Sequence, residues 1–177
     1  MAAKPTIYKF KIALSDLDNN YYDNLNLTVA LHPSETIERM MVRVLAFCFN
    51  ARQNITFTKG LYEPEEPDLW AQTLDGLIDL WIDVGEPTAD RIKKASRKAK
   101  QTWVYTFNTK SDAWWQQNQR SVIKHGVNVR QLAYSQMQDL AVLAERTCDA
   151  SLTLSEDSAL FATGAGACEI NWTDLTS

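Results

Sequence analysis

Hydrophobic and polar positions alternate at the start of the chain. Across residues 6–14 (TIYKFKIAL), Tyr8, Phe10 and Ile12 oppose Ile7, Lys9 and Lys11, the period-two pattern of a strand with one wet face. The turn formers SDLDNN follow, and LNLTVAL (25–31) reads as the return strand of a hairpin with an acidic tip. The period then changes. After Pro33, with Ser34 placed to cap and Glu35 in a first turn that favours carboxylates, apolar residues recur at helical spacing to about Asn50. Met40, Met41, Val44, Leu45 and Cys48 lie in one broad apolar arc of that helix, and Arg39 and Arg43 fall opposite it. Glu38 projects inside the arc, between Leu45 and Phe49, where a carboxylate must be paired, protonated or coordinating.

ITFTKG (55–60) predicts a short strand ended by Gly60, and a Pro-punctuated acidic loop then delivers Asp68 directly after Pro67. LIDLWIDV (77–84) is the clearest strand, with Asp79 and Asp83 beside Leu77 and Trp81 on one of its faces. TADRIKKASRKAKQ (88–101) predicts a helix with a narrow stripe of Ala89, Ile92, Ala95 and Ala99, and WVYTF (103–107) a buried strand. Residues 77–107 therefore have the length and pattern of a βαβ crossover. A helix capped by Ser111 and stopped by Gly126 follows, with Trp114 and Trp115 as packing anchors. Next come a strand at 127–132, a helix opened by Ser135 with Gln138, and a C-terminal hairpin or meander over 152–172.

Composition is that of an ordinary soluble domain: 177 residues, 45% hydrophobic, 23% charged, and six each of Trp, Tyr and Phe. One domain spanning 1–177 is expected. No apolar run approaches a membrane span and the N-terminus lacks a signal-peptide core, so no membrane association is expected. Cys48, Cys148 and Cys168 form no CxxC and have only His32 and His125 to assist them, which argues against a disulfide framework or structural zinc and for a cytoplasmic location. Cys48 reads as a small core residue. The net charge of −4 confines any nucleic-acid contact to a local patch. Such a patch exists: nine acids and no base occupy 61–90, whereas RIKKASRKAK (91–100) carries six bases and no acid. Most of that block is also what a solvated surface would show.

The familiar catalytic signatures are missing. GAG at 164–166 lacks the helix and third glycine of a dinucleotide fingerprint, and the sequence holds no GxxxxGK[ST], GxSxG or HExxH. A carboxylate set with lysines nearby remains. Two or more oxygen ligands can hold Mg²⁺ or Mn²⁺ with waters left free, and a lysine can offset charge on a scissile phosphate. An acid after Pro, a second acid at a strand end and a further acid from a preceding helix describe the PD-(D/E)XK nuclease arrangement, here Asp68, Asp83 and Glu38. The lysine expected two residues after the second acid is Gly85. Lys93 or Lys94 on the following helix, or Lys59 on the preceding strand, would have to replace it.

The phrases HPSETIERMMVRVLAF, FTKGL, PDLW, LWIDVGEP and RIKKA resemble the YaeQ family of Gram-negative bacterial proteins, over nearly the whole length. The resemblance implies an α/β fold of restriction-endonuclease-like type: a mixed central sheet flanked by helices, with added β-hairpins at the N- and C-terminal ends. It also implies a relation to the PD-(D/E)XK nucleases with altered site residues, and supplies no reaction or substrate. Glu38, Lys59, Asp68, Asp83 and Lys94 lie within the matching phrases. Glu86 departs from the Gln expected in the family's turn, and is either a fourth metal ligand or added surface charge. Two functions follow as expectations. One is metal-dependent phosphodiester hydrolysis, with Asp68, Asp83 and Glu38 around Mg²⁺ or Mn²⁺ and backbone contacts from Arg39, Arg43, Arg91 and Lys98. The other is a non-catalytic protein that binds nucleic acid or the transcription machinery on the same scaffold.

Overall fold

Residues 4–176 are described by a computed structural model. The alternating N-terminal segments form β1 (Thr6–Asp16) and β2 (Tyr21–Leu31), antiparallel in register from Thr6 opposite Leu31 to Asp16 opposite Tyr21. Then follow α1 (Ile37–Phe49), β3 (Thr56–Phe57), β4 (Leu69–Gln72), β5 (Ile78–Val84), α2 (Ala89–Lys98), β6 (Ala99–Thr106) and α3 (Ser111–Lys124). The chain finishes with β7 (Asn128–Leu132), α4 (Tyr134–Val142), β8 (Thr147–Leu154), β9 (Ser158–Thr163) and β10 (Gly166–Asp174).

These strands make one mixed sheet in the order β2-β1-β8-β9-β10-β7-β6-β5-β4-β3. The terminal hairpins are therefore not appendages to a central sheet, as expected, but half of it. β1 pairs in parallel with β8, and β10 pairs with β9 through residues 166–171 and with β7 through 172–174. The crossover is as the pattern predicted, with β5 and β6 parallel across α2.

Boundaries moved where local signals competed. Thr36, not Ser34, caps α1, its hydroxyl accepting from the Arg39 N–H at 3.2 Å; the Ser34 N–H donates instead to His32 Nδ1. α2 stops at Lys98 and the chain becomes extended at once, so β6 starts at Ala99 with no loop. Ser111 is the first helical residue of α3 rather than its cap, and its hydroxyl lies 2.6 Å from that of Thr106. Ser135 sits inside α4, which has no side-chain cap. The strand β4 was not anticipated; four residues following a proline-rich loop carry too little periodicity to declare themselves.

Helices cover both sides of the β5–β7 region. Ile92 and Ala95 of α2 are buried, and Ile92, Val104, Trp114, Val122, Val127 and Val129 form a small core under α2 and α3. The larger core fills the other side, where α1 lies against β2, β5 and α4. α1 is enclosed almost all round, the position expected of a helix whose apolar arc is this broad. Cys48 belongs to that core, and burial pushes its thiol up to about 12.

Where β10 passes from β9 to β7, Arg130 is held among three rings. Its guanidinium carbon lies 4.8, 4.9 and 5.6 Å from the centroids of Trp172, Phe49 and Trp103, and Asp174 accepts from it at 2.7 and 3.1 Å. Arg130→Ala is expected to destabilise the fold by roughly 2–3 kcal/mol through lost cation–π contact and packing, read as a lower urea midpoint with m unchanged.

Candidate functional site

The site begins at a residue whose sequence position suggested only helix-dipole decoration. Glu35 precedes α1, is buried, and accepts from two arginines one and two turns along the chain. Its Oε2 lies 2.6 Å from Arg39 Nη1 and 2.8 Å from Arg43 Nε, and its Oε1 lies 2.6 Å from Arg43 Nη2. Spacing of four places Glu35, Arg39 and Arg43 along one stripe. The arginines therefore do face away from the arc of Met40, Met41 and Val44, but onto protein rather than solvent. Arg43 is only 6% exposed and also donates to the Ala30 carbonyl of β2 at 2.9 Å. Both guanidiniums, expected to contact a nucleic-acid backbone, are thus engaged by carboxylates within the protein.

Arg39 carries the network to the central strands. Its Nη2 donates to Asp68 Oδ1 at 2.8 Å and to the Val84 carbonyl at 3.1 Å, while Asp68 Oδ2 accepts from the Val84 N–H at 2.8 Å. Burial alone would lower the Arg39 pKa; Asp68 and Glu35 outweigh it and hold the group charged. Asp68 is positioned by its own amide, which donates to the Ile82 carbonyl at 2.9 Å just ahead of the Leu69–Ile82 pairing of β4 with β5.

Asp83, at the end of β5, faces α2. Arg91 from the first turn of α2 grips it with Nε on Oδ2 and Nη2 on Oδ1, both at 3.0 Å. The same guanidinium holds the acidic loop, donating to the carbonyls of Pro64 at 2.6 Å and Glu66 at 2.9 Å. Burial raises the Asp83 pKa above its ordinary value; the Arg91 hydrogen bond and charge pull it back only in part, and the Asp68 charge adds to the rise. Both acids line a cavity of about 290 Å³ with Arg39, Arg91, Glu66 and Glu86.

Of the other expected members, only Glu86 lines this cavity. Glu38 is half-buried and has no hydrogen-bond or ion-pair partner among the described residues. Glu86 turns to the start of α3, accepting from Thr106 Oγ1 at 2.7 Å and from Asn108 Nδ2. Lys93 and Lys94 stand exposed on α2, Lys94 beside Asp90 at 3.1 Å. Lys98 is exposed, 3.5 Å from Glu65 and 5.7 Å from the Trp81 ring centroid. Lys59 is exposed on the far side of the Gly60–Tyr62 turn and lines a second, larger cavity. The absent lysine at position 85 has a backbone reason. Gly85 has φ +117°, a conformation that L side chains rarely adopt, and a Cβ there would meet nothing within 4 Å, so the obstacle is the turn itself. Arg91 is the base that Asp83 meets instead.

Among the described residues, no group of three or more His, Cys, Asp and Glu side chains is arranged to hold a metal ion. The donor chemistry agrees: all four oxygens of Asp68 and Asp83 already accept from guanidinium or amide N–H groups. The residues in this arrangement do not fit Mg²⁺ or Mn²⁺, which need carboxylate oxygens unopposed by a fixed cation. Glu35 and the pairing role of Arg91 are the parts of the site that sequence reasoning missed. The Glu35, Arg39, Arg43 spacing was the signal for the first; the second depends on the crossover bringing α2 over the end of β5.

Two outcomes are expected. Glu35→Ala leaves the buried Arg43 charge uncompensated and should cost about 3–5 kcal/mol, whereas Glu38→Ala should stay within about 0.5 kcal/mol, both by urea unfolding. For Asp83, a raised carboxyl pKa means the folded state holds the proton more tightly than the unfolded chain. Its stabilising share is complete below the ordinary value of 3.8 and is lost as pH climbs through the raised value. Asp83→Asn should remove that downward slope of stability above pH 3.8, measured by unfolding at stepped pH.

The family model described as YaeQ protein matches residues 1–172. The uncharacterised protein YaeQ of Escherichia coli (strain K12) is 39% identical over 158 residues, covering 88% of this chain and 87% of that protein. The Salmonella typhi protein of the same description is 38% identical over 167 residues, covering 93% and 92%. The crystal structure of YaeQ protein from Xanthomonas axonopodis pv. citri superposes with a TM-score of 0.94 at 30% identity, covering 98% of this chain and 99% of that one. That from Pseudomonas syringae gives 0.92 at 32%, covering 98% and 97%. The mixed ten-stranded sheet with its four helices is thus a fold shared with solved relatives, and this chain belongs to the YaeQ family.

Proposed function

We propose that this protein binds the phosphate backbone of nucleic acid without cleaving it, on a scaffold related to the restriction-endonuclease-like fold of the PD-(D/E)XK nucleases. The observation that carries this reading is the pairing of Asp68 with Arg39 and of Asp83 with Arg91. At the place where a nuclease of that type would present bare carboxylates to a cation, this chain presents neutralised ones.

The basic element stands immediately outside the pair. Lys93, Lys94, Arg97, Lys98 and Lys100 are exposed on or just after α2, and Arg91 at its first turn anchors the helix to β5. Exposed lysines on a fixed helix suit phosphate contact, which positions a duplex without reading its sequence. The exposed Glu65 lies on the loop that Arg91 holds against α2, so the negative pole sits beside the positive one and would limit where a polyanion lies. No helix among the described residues is long and apolar enough to cross a membrane.

The test is fluorescence anisotropy with short labelled DNA and RNA duplexes across a salt series, with and without chelator. Each α2 lysine changed to Glu should weaken binding for every sequence alike and lower the log–log salt slope by about 1, with chelator making no difference. Turnover that requires Mn²⁺ and disappears in Asp83→Asn would overturn the reading in favour of metal-dependent hydrolysis at Asp68 and Asp83.

A further inference from the structure

A second cavity, of about 530 Å³, opens on the other side of the Gly60–Tyr62 turn, between β2, the start of α1 and the β3 segment. It shares Arg39 and Asp68 with the smaller cleft, yet its walls are different in kind. Its size falls in the range of small-molecule sites. We propose that it binds a small organic anion, a phosphate monoester or carboxylate carried on a flat ring, with the anion at Arg43 and Lys59 and the ring against Phe57 and the His32–Tyr62 pair.

The cavity is lined by two acids, Glu35 and Asp68, and three bases, Arg39, Arg43 and Lys59. Both acids are satisfied within the protein. Glu35 accepts from Arg39, Arg43 and the His32 N–H, and Asp68 from Arg39 and the Val84 N–H. The bases are not. Arg43 donates through Nε and Nη2 only, and its Nη1 has no partner among the described residues although the side chain is 93% buried. That nitrogen is also not among the solvent-inaccessible polar atoms left without a partner. A guanidinium lining a cavity, with one end fixed and the other open, is a preorganised anion donor. Lys59 is exposed on the same lining, with no ion pair among the described residues. What the cavity offers a ligand is therefore positive, in a chain whose net charge is −4.

The aromatic walls define the rest of the ligand. Phe57 lies under the Arg43 guanidinium, 5.9 Å from ring centroid to carbon, and is backed by Phe47 at 5.1 Å. The His32 and Tyr62 rings meet at 4.4 Å, and Ser34 fixes the imidazole through contacts of 3.0 and 2.7 Å to Nδ1. A flat ring would exploit both surfaces, as an aliphatic anion would not. This inference does not rest on the nucleic-acid reading, because none of the α2 lysines reaches this cavity.

Calorimetric titration of the full chain tests it, with adenosine 5′-monophosphate, 4-hydroxybenzoate, inorganic phosphate and adenosine as probes. The first two distinguish a phosphate source from a carboxylate source, and at least one should bind saturably, at least tenfold more tightly than inorganic phosphate or adenosine. Lys59→Ala, an exposed change that leaves the fold intact, should weaken that probe about tenfold, Lys59→Arg should restore it, and Arg43→Lys should weaken it comparably. Lys93→Glu should leave it unchanged. Saturable binding by neither anion-bearing ring, affinity indifferent to Lys59→Ala, or equal affinity for inorganic phosphate would each overturn the proposal.

Discussion

The structure depends on one buried carboxylate between two arginines. Placing Glu35 under the start of α1 removes a charge from water, which is tolerable only with full compensation. Arg39 and Arg43 provide it, and each then needs a second partner. Arg43 finds the Ala30 carbonyl of β2, and Arg39 finds Asp68 and the Val84 carbonyl beside β4 and β5. The result is a continuous run of charge and hydrogen bonding from the N-terminal hairpin to the crossover strands, passing along one stripe of one helix. Because each link is directional, the pitch of α1 over the sheet follows from it, as apolar packing alone would not require.

The same run governs the chemistry. Asp68 stands where two cavities meet, and its pairing with Arg39 closes it to a cation on either side. Asp83 is closed by Arg91, which also pins the acidic loop against α2. Arg39 and Arg91 are committed to buried carboxylates, whereas, among the described residues, Lys59 and Lys93 have no ion pair and Arg43 Nη1 has no partner. Exposed bases thus stand on α2 and at Lys59 in a chain with an excess of acids.

Much of this was legible in the chain. Alternation in 6–14 gave a strand because one face is wet, and the Lys9 and Lys11 side of β1 is indeed exposed. The crossover at 77–107 was legible because the period switches from two to 3.6 and back within a length that only a parallel connection needs. The burial of Asp83 was legible in its apolar neighbours. Glu38 misled for a related reason: a helical projection gives direction but not what lies in that direction, and the surface beyond Glu38 is half open.

What the sequence by itself determined was local: which segments alternate, which coil, where turns fall, and that Asp68 follows a proline while Asp83 stands near the end of a strand. It also determined that no lysine stands two residues after Asp83, where the chain has Gly85. Only the tertiary structure decided which charges meet. Arg91 finds Asp83 because α2 folds back over β5, and Arg39 finds Asp68 across twenty-nine positions of chain. It also decided that β1 joins β8 and that β10 unites the two halves of the sheet. The physical reason is the same in each case. Backbone periodicity is written within a few residues, whereas an ion pair or a strand pairing between distant segments exists only once the chain has closed the loop between them.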